Sequence, residues 1–92
     1  MSDNPGTRDV TIRYFAWVRE KIGRAEEQVR VPASVVTIRD LMRWQQNRGP
    51  EFAAAFANPE AIRTALDRVH VKADAEIGDA REIGFFPPVT GG

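Results

Sequence analysis

Two segments in which apolar and polar residues alternate limit the fold of this chain more than any other feature. In residues 9–15, DVTIRYF, the residues alternate between two faces, and residues 26–32, EEQVRVP, repeat the pattern. A period of two is typical of strands that bury one face. Between them, residues 16–22 are good helix formers and end at Gly23, which predicts a short helical turn closed by glycine. We therefore expect two strands that pair as a hairpin around a helical turn.

A helix is predicted after the second strand because its start signal is specific. Thr37 and Asp40 have the spacing at which a hydroxyl and a carboxylate cap the N-terminus of a helix. The helix should run for about twelve residues, to Gly49 and Pro50, and residues 51–57 are expected to add further turns. The apolar stripe that would cover a sheet consists of Ile38, Leu41, Met42 and Trp44.

The C-terminal half of the chain supplies the remaining strands. Residues 62–71 are rich in β-branched and apolar residues, with a turn or bulge expected at the Asp67-Arg68 pair. After a polar connection, the last strand occupies residues 82–86 and ends at two prolines, which cannot donate ladder hydrogen bonds. This order of elements predicts an α+β domain of the β-grasp, or ubiquitin-like, type, in which a mixed sheet packs on one main helix.

The length of 92 residues is enough for one domain with one modest core. Residues 1–8 have the composition of a disordered leader, residues 9–87 hold the predicted elements, and residues 88–92 are expected to form a flexible C-terminal tail. A domain of this size has little room for an internal active site. Any ligand is therefore expected on the surface or in a site shared with a partner.

Charge and composition exclude several classes of function. The 13 basic and 13 acidic side chains balance, and no run of Lys or Arg occurs, which argues against a nucleic-acid or membrane surface. With no cysteine and one histidine, His70, we expect no metal site, and His70 is interpreted as a half-exposed strand residue. No segment has the pattern of a signal peptide or of a membrane span, so a cytoplasmic location is expected.

The end of the chain differs from the rest. Residues 83–92, IGFFPPVTGG, contain no charged residue, although charged residues make up 28% of the whole chain. If Ile83 and Phe85 face the core, strand geometry turns Phe86 outward, where an exposed aromatic side chain marks a contact surface. The prolines favour an extended tail that reaches about 20 Å, and the final glycines fit a narrow channel. The tail therefore presents a free carboxylate to another protein.

A carboxylate must be activated before a nucleophile can attack it. Adenylation with ATP produces a mixed anhydride, which a sulfur donor or a lysine amine can attack. The chain lacks a phosphate-binding loop of the GxxxxGK[ST] type, so a separate enzyme is expected to bind the ATP while this chain binds no cofactor. The alternative interpretation is that the two glycines form an inert, disordered end.

The segments FFPPVTGG and YFAWVREKIG, at residues 85–92 and 14–23, resemble the MoaD family of sulfur carriers, the small subunits of molybdopterin synthase. The resemblance implies that the Gly92 carboxylate is adenylated, converted to a thiocarboxylate, and used to supply sulfur to cyclic pyranopterin monophosphate. It implies that Thr90 and Gly91 enter the partner's site together with Gly92. The implied partner interface consists of Phe86, Pro87, Pro88, Val89 and Arg19.

The same resemblance implies three protein partners. These are a large subunit, with which the family forms a heterotetramer and which carries the catalytic residues, an adenylating enzyme, and a sulfur donor protein. Asp67, Ala80 and Arg81 depart from the residues common in the family, and the tail does not. Three alternatives stay open: a sulfur carrier for another pathway such as thiazole synthesis, a ubiquitin-like modifier joined to lysines, and an interaction domain with an inert tail.

Overall fold

A computed structural model describes residues 6–88, which form five strands, three α-helices and one 3₁₀ helix. The strands are β1 (Thr7–Tyr14), β2 (Glu26–Pro32), β3 (Arg63–Leu66), β4 (Val69–Val71) and β5 (Glu82–Phe86). The helices are α1 (Ala16–Ile22), α2 (Ile38–Gln46) and α3 (Pro50–Ala55), and the 3₁₀ helix spans Pro59–Ala61. The strands form one mixed sheet in the order β2-β1-β5-β3-β4, in which only β1 and β5 pair in parallel. The predicted α+β architecture is confirmed.

The two alternating segments form the predicted strands β1 and β2, which pair antiparallel and bury their apolar sides. Strand β1 begins at Thr7, two residues before the predicted start at residue 9. The predicted leader of residues 1–8 is therefore too long. Thr7 lies opposite Pro32 at the end of β2, so pairing extends a strand into a segment whose composition is typical of a loop. Residues 1–5 lie outside the described part of the chain.

The helical turn between these strands ends where the sequence predicts. Gly23 has a φ of 89°, a left-handed conformation that glycine adopts without steric cost. Its N–H donates to the carbonyl oxygen of Arg19 at 2.8 Å, and this bond closes α1. The helix buries Val18 and Ile22 against the sheet.

Helix α2 starts at its predicted cap. The Thr37 hydroxyl accepts from the Asp40 N–H at 3.1 Å, and the Asp40 carboxylate accepts from the Thr37 N–H at 3.1 Å. The backbone N–H of Thr37, with that of the preceding residue, lowers the pKa of the Asp40 carboxyl. The helix ends at Gln46, before the predicted end near Gly49, because Asn47 closes the last turn through its backbone N–H and its side-chain amide.

Residues 62–71 form two strands, so the sheet has five strands where the sequence indicates four. The predicted turn is present at Asp67 and Arg68, whose φ angles of 47° and 73° are both left-handed and reverse the chain between β3 and β4. The Asp67 Oδ1 accepts from the backbone N–H groups of Arg81 and Glu82 at 3.0 and 2.9 Å. The turn is thereby tied to the start of β5.

The core lies between the sheet and the helices. Helix α3 lies in the segment where further turns are predicted, and it buries Phe52 and Ala55. Of the predicted α2 stripe, three side chains are buried and Trp44 is partly buried, whereas Gln45, which was not expected in the core, is fully buried. The largest fully buried apolar side chains are Tyr14, Phe56, Phe85, Ile12, Ile38, Leu41 and Ile83.

Within residues 6–88, no helix is long and apolar enough to cross a membrane.

Candidate functional site

Strand β5 has a buried side and an outer side. Ile83 and Phe85 have no exposed surface, and the Phe85 ring lies 6.4 Å from that of Tyr14 and 5.0 Å from that of Phe56, measured between centroids. Phe86 points to the opposite side of the sheet and is half-buried. Its orientation is the one that strand parity predicts.

Aromatic side chains surround a groove on the outer side of the sheet, which we call the aromatic groove. Phe15, directly after β1, lies on one side, with its ring centroid 6.4 Å from that of Phe86 in an edge-on arrangement. His70 of β4 lies on the other side, 5.0 Å from Phe86 between ring centroids. Gly84 and Ala65, which face each other across β5 and β3, form the floor. The groove has a volume of 490 Å³ and is open to a protein side chain.

Two backbone features give the aromatic groove its shape. A Cβ atom at Gly84 would lie 3.3 Å from the Cε2 atom of Phe15, which is closer than an ordinary contact. Ala16, directly after Phe15, has a φ of 53°, a left-handed conformation that costs a residue with a side chain about 1–2 kcal/mol. This strained residue turns the chain from β1 into α1 at the point where the Phe15 ring lies over Gly84.

The rim of the aromatic groove carries charges of both signs. Arg68, in the turn between β3 and β4, and Glu82, at the start of β5, both line it. Arg13 Nε lies 3.2 Å from Glu82 Oε2 and 3.5 Å from Glu26 Oε1, so part of the negative charge at this rim is already neutralised. A partner that fills the groove therefore meets an apolar centre with a mixed polar border, which is the usual composition of a protein interface.

A polar cluster on the buried side of β1, the Glu27 cluster, holds the end of that strand. The Tyr14 hydroxyl donates to Glu27 Oε2 at 2.6 Å and accepts from Gln45 Nε2 at 2.9 Å. Arg48 donates to both Glu27 oxygens at 2.7 and 3.0 Å, and to Gln45 Oε1 at 2.8 Å. The guanidinium also lies over the Phe52 ring, 4.2 Å from its centroid. Both polar atoms of the buried Gln45 side chain are thus hydrogen-bonded, which is why a polar residue is stable in the core.

The protonation states of the Glu27 cluster follow from its contacts. Burial, and next the hydrogen bond to Glu27, raises the pKa of the Tyr14 hydroxyl, so it stays a donor at neutral pH. Partial burial acts to raise the pKa of Glu27, but the hydrogen bonds from Arg48 and Tyr14, with the charges of Arg48 and Arg24, outweigh it and hold that pKa below its ordinary value. The cluster is a satisfied ionic network, and its role is to stabilise the fold.

Three of the predicted interface residues lie together. Phe86, Pro87 and Pro88 follow one another at the end of β5 and are half-buried, and the first two line the aromatic groove. Arg19 is exposed on α1 and does not line that groove. Outside the described residues lie Val89, Thr90, Gly91 and Gly92, for which the predicted roles stay predictions.

The sequence alone did not assign Phe15 or His70 to the site, although both line the aromatic groove. Phe15 carries the signal of strand parity, since it continues the outer face of β1, and His70 lies on the outer face of β4 between two valines. Their approach to Phe86 depends on the order of the strands, which brings residues from three separate segments together. In the part of the chain that the structure describes, no group of His, Asp and Glu side chains is arranged to hold a metal ion.

Comparison with known proteins adds the family. The ThiS family matches residues 12–92 of the chain. This protein is a member of the ThiS family. The ThiS family member is also 30% identical, over 83 residues, to the molybdopterin synthase sulfur carrier subunit of Escherichia coli (strain K12), a match that covers 90% of this chain and 99% of the relative. The resemblance to sulfur carriers of the MoaD type is confirmed.

Solved structures confirm the β-grasp fold of this ThiS family member. A candidate molybdopterin converting factor, subunit 1, from Pyrococcus furiosus is 25% identical with a TM-score of 0.62, and the match covers 88% of this chain and 98% of the other. The small archaeal modifier protein 1 from Methanosarcina acetivorans is 19% identical with a TM-score of 0.65, and the match covers 94% and 98%. At that identity the second likeness shows the fold alone.

Proposed function

We propose that this ThiS family member is the sulfur carrier subunit of a molybdopterin synthase and that it works in the cytoplasm, in a heterotetramer with the large subunit. Its Gly92 carboxylate would carry sulfur to cyclic pyranopterin monophosphate in molybdenum cofactor biosynthesis. The observation that carries the proposal is the aromatic groove, which lies where the C-terminal tail leaves the sheet. Phe86 lines that groove, and the chain continues from it through Pro87 and Pro88 toward Gly92.

The proposed chemistry begins with a group that is unreactive by itself. The Gly92 carboxylate is ionised at neutral pH and is a poor electrophile. On an activating enzyme, one of its oxygens attacks the α-phosphorus of ATP and pyrophosphate leaves, which forms a glycyl adenylate. Sulfur at the oxidation level of sulfide, supplied by a donor protein, then bonds to the carbonyl carbon as AMP leaves, and the product is a thiocarboxylate. The sulfur enters from a donor because the chain has no cysteine.

In this function the chain binds its partners and positions its C-terminal tail, and the partners carry out the catalysis. The aromatic groove accepts an apolar side chain of the large subunit or of the activating enzyme, with Phe86 as the anchor at its edge. The prolines that follow limit the directions in which the tail leaves the sheet, which lowers the entropy cost of inserting it. Val89 continues the partner interface, and Thr90 and Gly91 then occupy the channel that leads Gly92 to the pterin. Arg19 contacts the partner outside the groove.

The test is intact mass spectrometry of the full chain after incubation with the activating enzyme, ATP and the sulfur donor protein. We expect a mass increase that corresponds to one oxygen replaced by sulfur at Gly92, and molybdopterin once the large subunit and the pterin precursor are added. Deleting Gly92 should abolish sulfur transfer and leave the unfolding midpoint unchanged, since the deletion leaves β5 and its pairing with β1 and β3 intact. Deleting Ser2, at the other end of the chain, is the matched control and should change neither.

The outcomes separate the alternatives. If no oxygen is exchanged at Gly92, the sulfur carrier function is wrong. Thiocarboxylation without molybdopterin would favour a carrier for another pathway, and attachment of Gly92 to lysines of other proteins would favour a ubiquitin-like modifier. If the chain without Gly92 fails to fold, the tail has a structural role instead.

A further inference from the structure

A second groove lies between α2, the 3₁₀ helix and the segment that follows β4. Two adjoining cavities of 380 and 480 Å³ share Met42, Pro59, Glu60 and Ala73 in their walls, so they form one continuous depression. We call it the basic groove. It is distinct from the aromatic groove, with which it shares no lining residue.

Four cations and one carboxylate line the basic groove. Arg39 and Arg43 lie one turn apart on α2, Arg63 begins β3, Lys72 follows β4, and Glu60 is the acidic member. Four positive charges less one negative charge leave a local net charge of +3.

The cations of the basic groove lack partners of their own. Within residues 6–88, none of the four side chains makes an ion pair or a hydrogen bond, and Arg43 acts only through space on the Asp40 carboxylate of the helix cap. Within the same residues Arg13, Arg24, Arg30 and Arg48 are ion-paired, and five further cations outside the basic groove are not. The basic groove is therefore distinguished by the clustering of four such cations around one depression.

The backbone around the basic groove is fixed. The N–H of Arg39 donates to the Ala73 carbonyl oxygen at 2.9 Å, and the N–H of Ile38 donates to that of Ala75 at 3.0 Å. These bonds attach the segment after β4 to the first turn of α2. Met42 is 2% exposed and belongs to the core, so the base of the groove is apolar and well packed. A ligand would therefore meet a preformed surface, which lowers the cost of binding.

The basic groove adjoins the face from which the tail leaves. Arg63 lies directly opposite Phe86 in the register of β3 and β5, and it is exposed. Arg63 therefore lines the basic groove and is paired with a residue of the aromatic groove, which it does not itself line. A protein that covers Phe86 and the aromatic groove brings its neighbouring residues over Arg63 and toward the remaining cations.

We propose that the basic groove binds an acidic segment of the protein that takes up the tail. Asp or Glu side chains of that segment pair with Arg39, Arg43 and Lys72, and an apolar side chain of the segment covers the base of the groove. The inference rests on the proposed function, because its partner is the protein that covers the aromatic groove. The apolar base suits a peptide that has both acidic and apolar side chains better than it suits a chain of phosphates. The Glu60 carboxylate repels either kind of anion, so the acidic side chains are expected beside the four cations and away from Glu60.

The experiment compares two charge-reversed variants that change the net charge by the same amount. R39E/R43E reverses two cations of the basic groove, and R8E/R81E reverses two cations outside both grooves. Association of each full chain with the activating enzyme, and separately with the large subunit, is measured over a series of salt concentrations. We expect R39E/R43E to slow association with at least one partner about tenfold and to flatten its salt dependence, and R8E/R81E to stay within about twofold.

Association rates are compared only for variants whose unfolding midpoint equals that of the wild type. If R39E/R43E does not fold, Lys72→Glu is used in its place. Equal rates for the two variants with both partners would overturn the proposal. So would binding of a single-stranded RNA oligonucleotide that depends on Arg39 and Arg43, because it would assign the groove to nucleic acid. Thiocarboxylation of the wild-type chain is followed in parallel, so that a failure of the proposed function is seen independently of these rates.

Discussion

The two sides of β5 carry similar aromatic clusters that differ in what covers them. On the buried side, Phe85 lies 6.4 and 5.0 Å from two aromatic rings, and on the outer side Phe86 lies at the same two distances from Phe15 and His70. Phe85 has no exposed surface because the helices cover it, whereas Phe15 is 44% exposed. Ring packing by itself therefore does not distinguish a core from a docking surface. The difference is whether this chain supplies the covering layer.

Truncating Phe85 and Phe86 to alanine should give the largest effects and tests this comparison most directly. Phe85→Ala should lower the free energy of unfolding by about 3–5 kcal/mol, because it leaves a cavity among buried rings. Phe86→Ala should lower it by about 1 kcal/mol or less, and should weaken binding of the large subunit by about 2 kcal/mol, roughly thirtyfold. Urea unfolding and calorimetric titration measure the two quantities.

Val69→Ala is the control for Phe86→Ala, since Val69 is 63% exposed and does not line the aromatic groove. It should change neither stability nor binding by more than about 0.5 kcal/mol. If Phe86→Ala destabilises the chain as much as Phe85→Ala, the outer cluster is part of the core and the comparison is wrong.

Removing the charge of Glu27 should have a smaller effect on the free energy of unfolding. The ion pair and hydrogen bonds of the Glu27 cluster stabilise the buried side of the sheet. Glu27→Gln leaves Arg48 without its carboxylate and should cost about 2 kcal/mol at pH 7. Because the folded state lowers the pKa of Glu27, this contribution is complete above the ordinary carboxyl pKa of about 4.3 and is lost as the pH falls through the lower folded value. The wild type and the variant should therefore converge in stability below about pH 4.3.

Glu26→Gln is the matched control, because Glu26 precedes Glu27 and its side chain is 57% exposed in its pair with Arg13. It should change stability by about 0.5 kcal/mol or less at any pH. A difference between wild type and Glu27→Gln that stays constant down to pH 2 would contradict an ionic origin for the stabilisation.

The smallest expected effect concerns the floor of the aromatic groove. Gly84→Ala places a methyl group 3.3 Å from the Phe15 ring, which must shift by a few tenths of an ångström, so stability should change by about 1 kcal/mol or less. Binding of the large subunit should weaken by about 1 kcal/mol, roughly fivefold, because the floor is raised. Ala65→Gly, at the facing position, lowers the floor and serves as the control. Unchanged binding by Gly84→Ala would show that the partner does not enter the groove.

Features that depend on a few neighbouring residues were predictable. The Thr37 cap, the closure of α1 at Gly23 and the outward direction of Phe86 each follow from contacts or parity within one element. The start of β1 at Thr7 was not predictable, because it results from pairing with β2. The burial of Gln45 was missed for a related reason, since its partners come from β1 and from the segment after α2.

The sequence by itself determined the strand pattern, the helix cap, and an uncharged end that carries a carboxylate on two glycines. Only the tertiary structure decided that Phe15 and His70 approach Phe86, and that four cations scattered between residues 39 and 72 line one groove. Backbone preferences act over a few residues, so they can be recognised directly in the sequence. Neighbours across a sheet are set by strand order and register, and these are decided when the whole core closes.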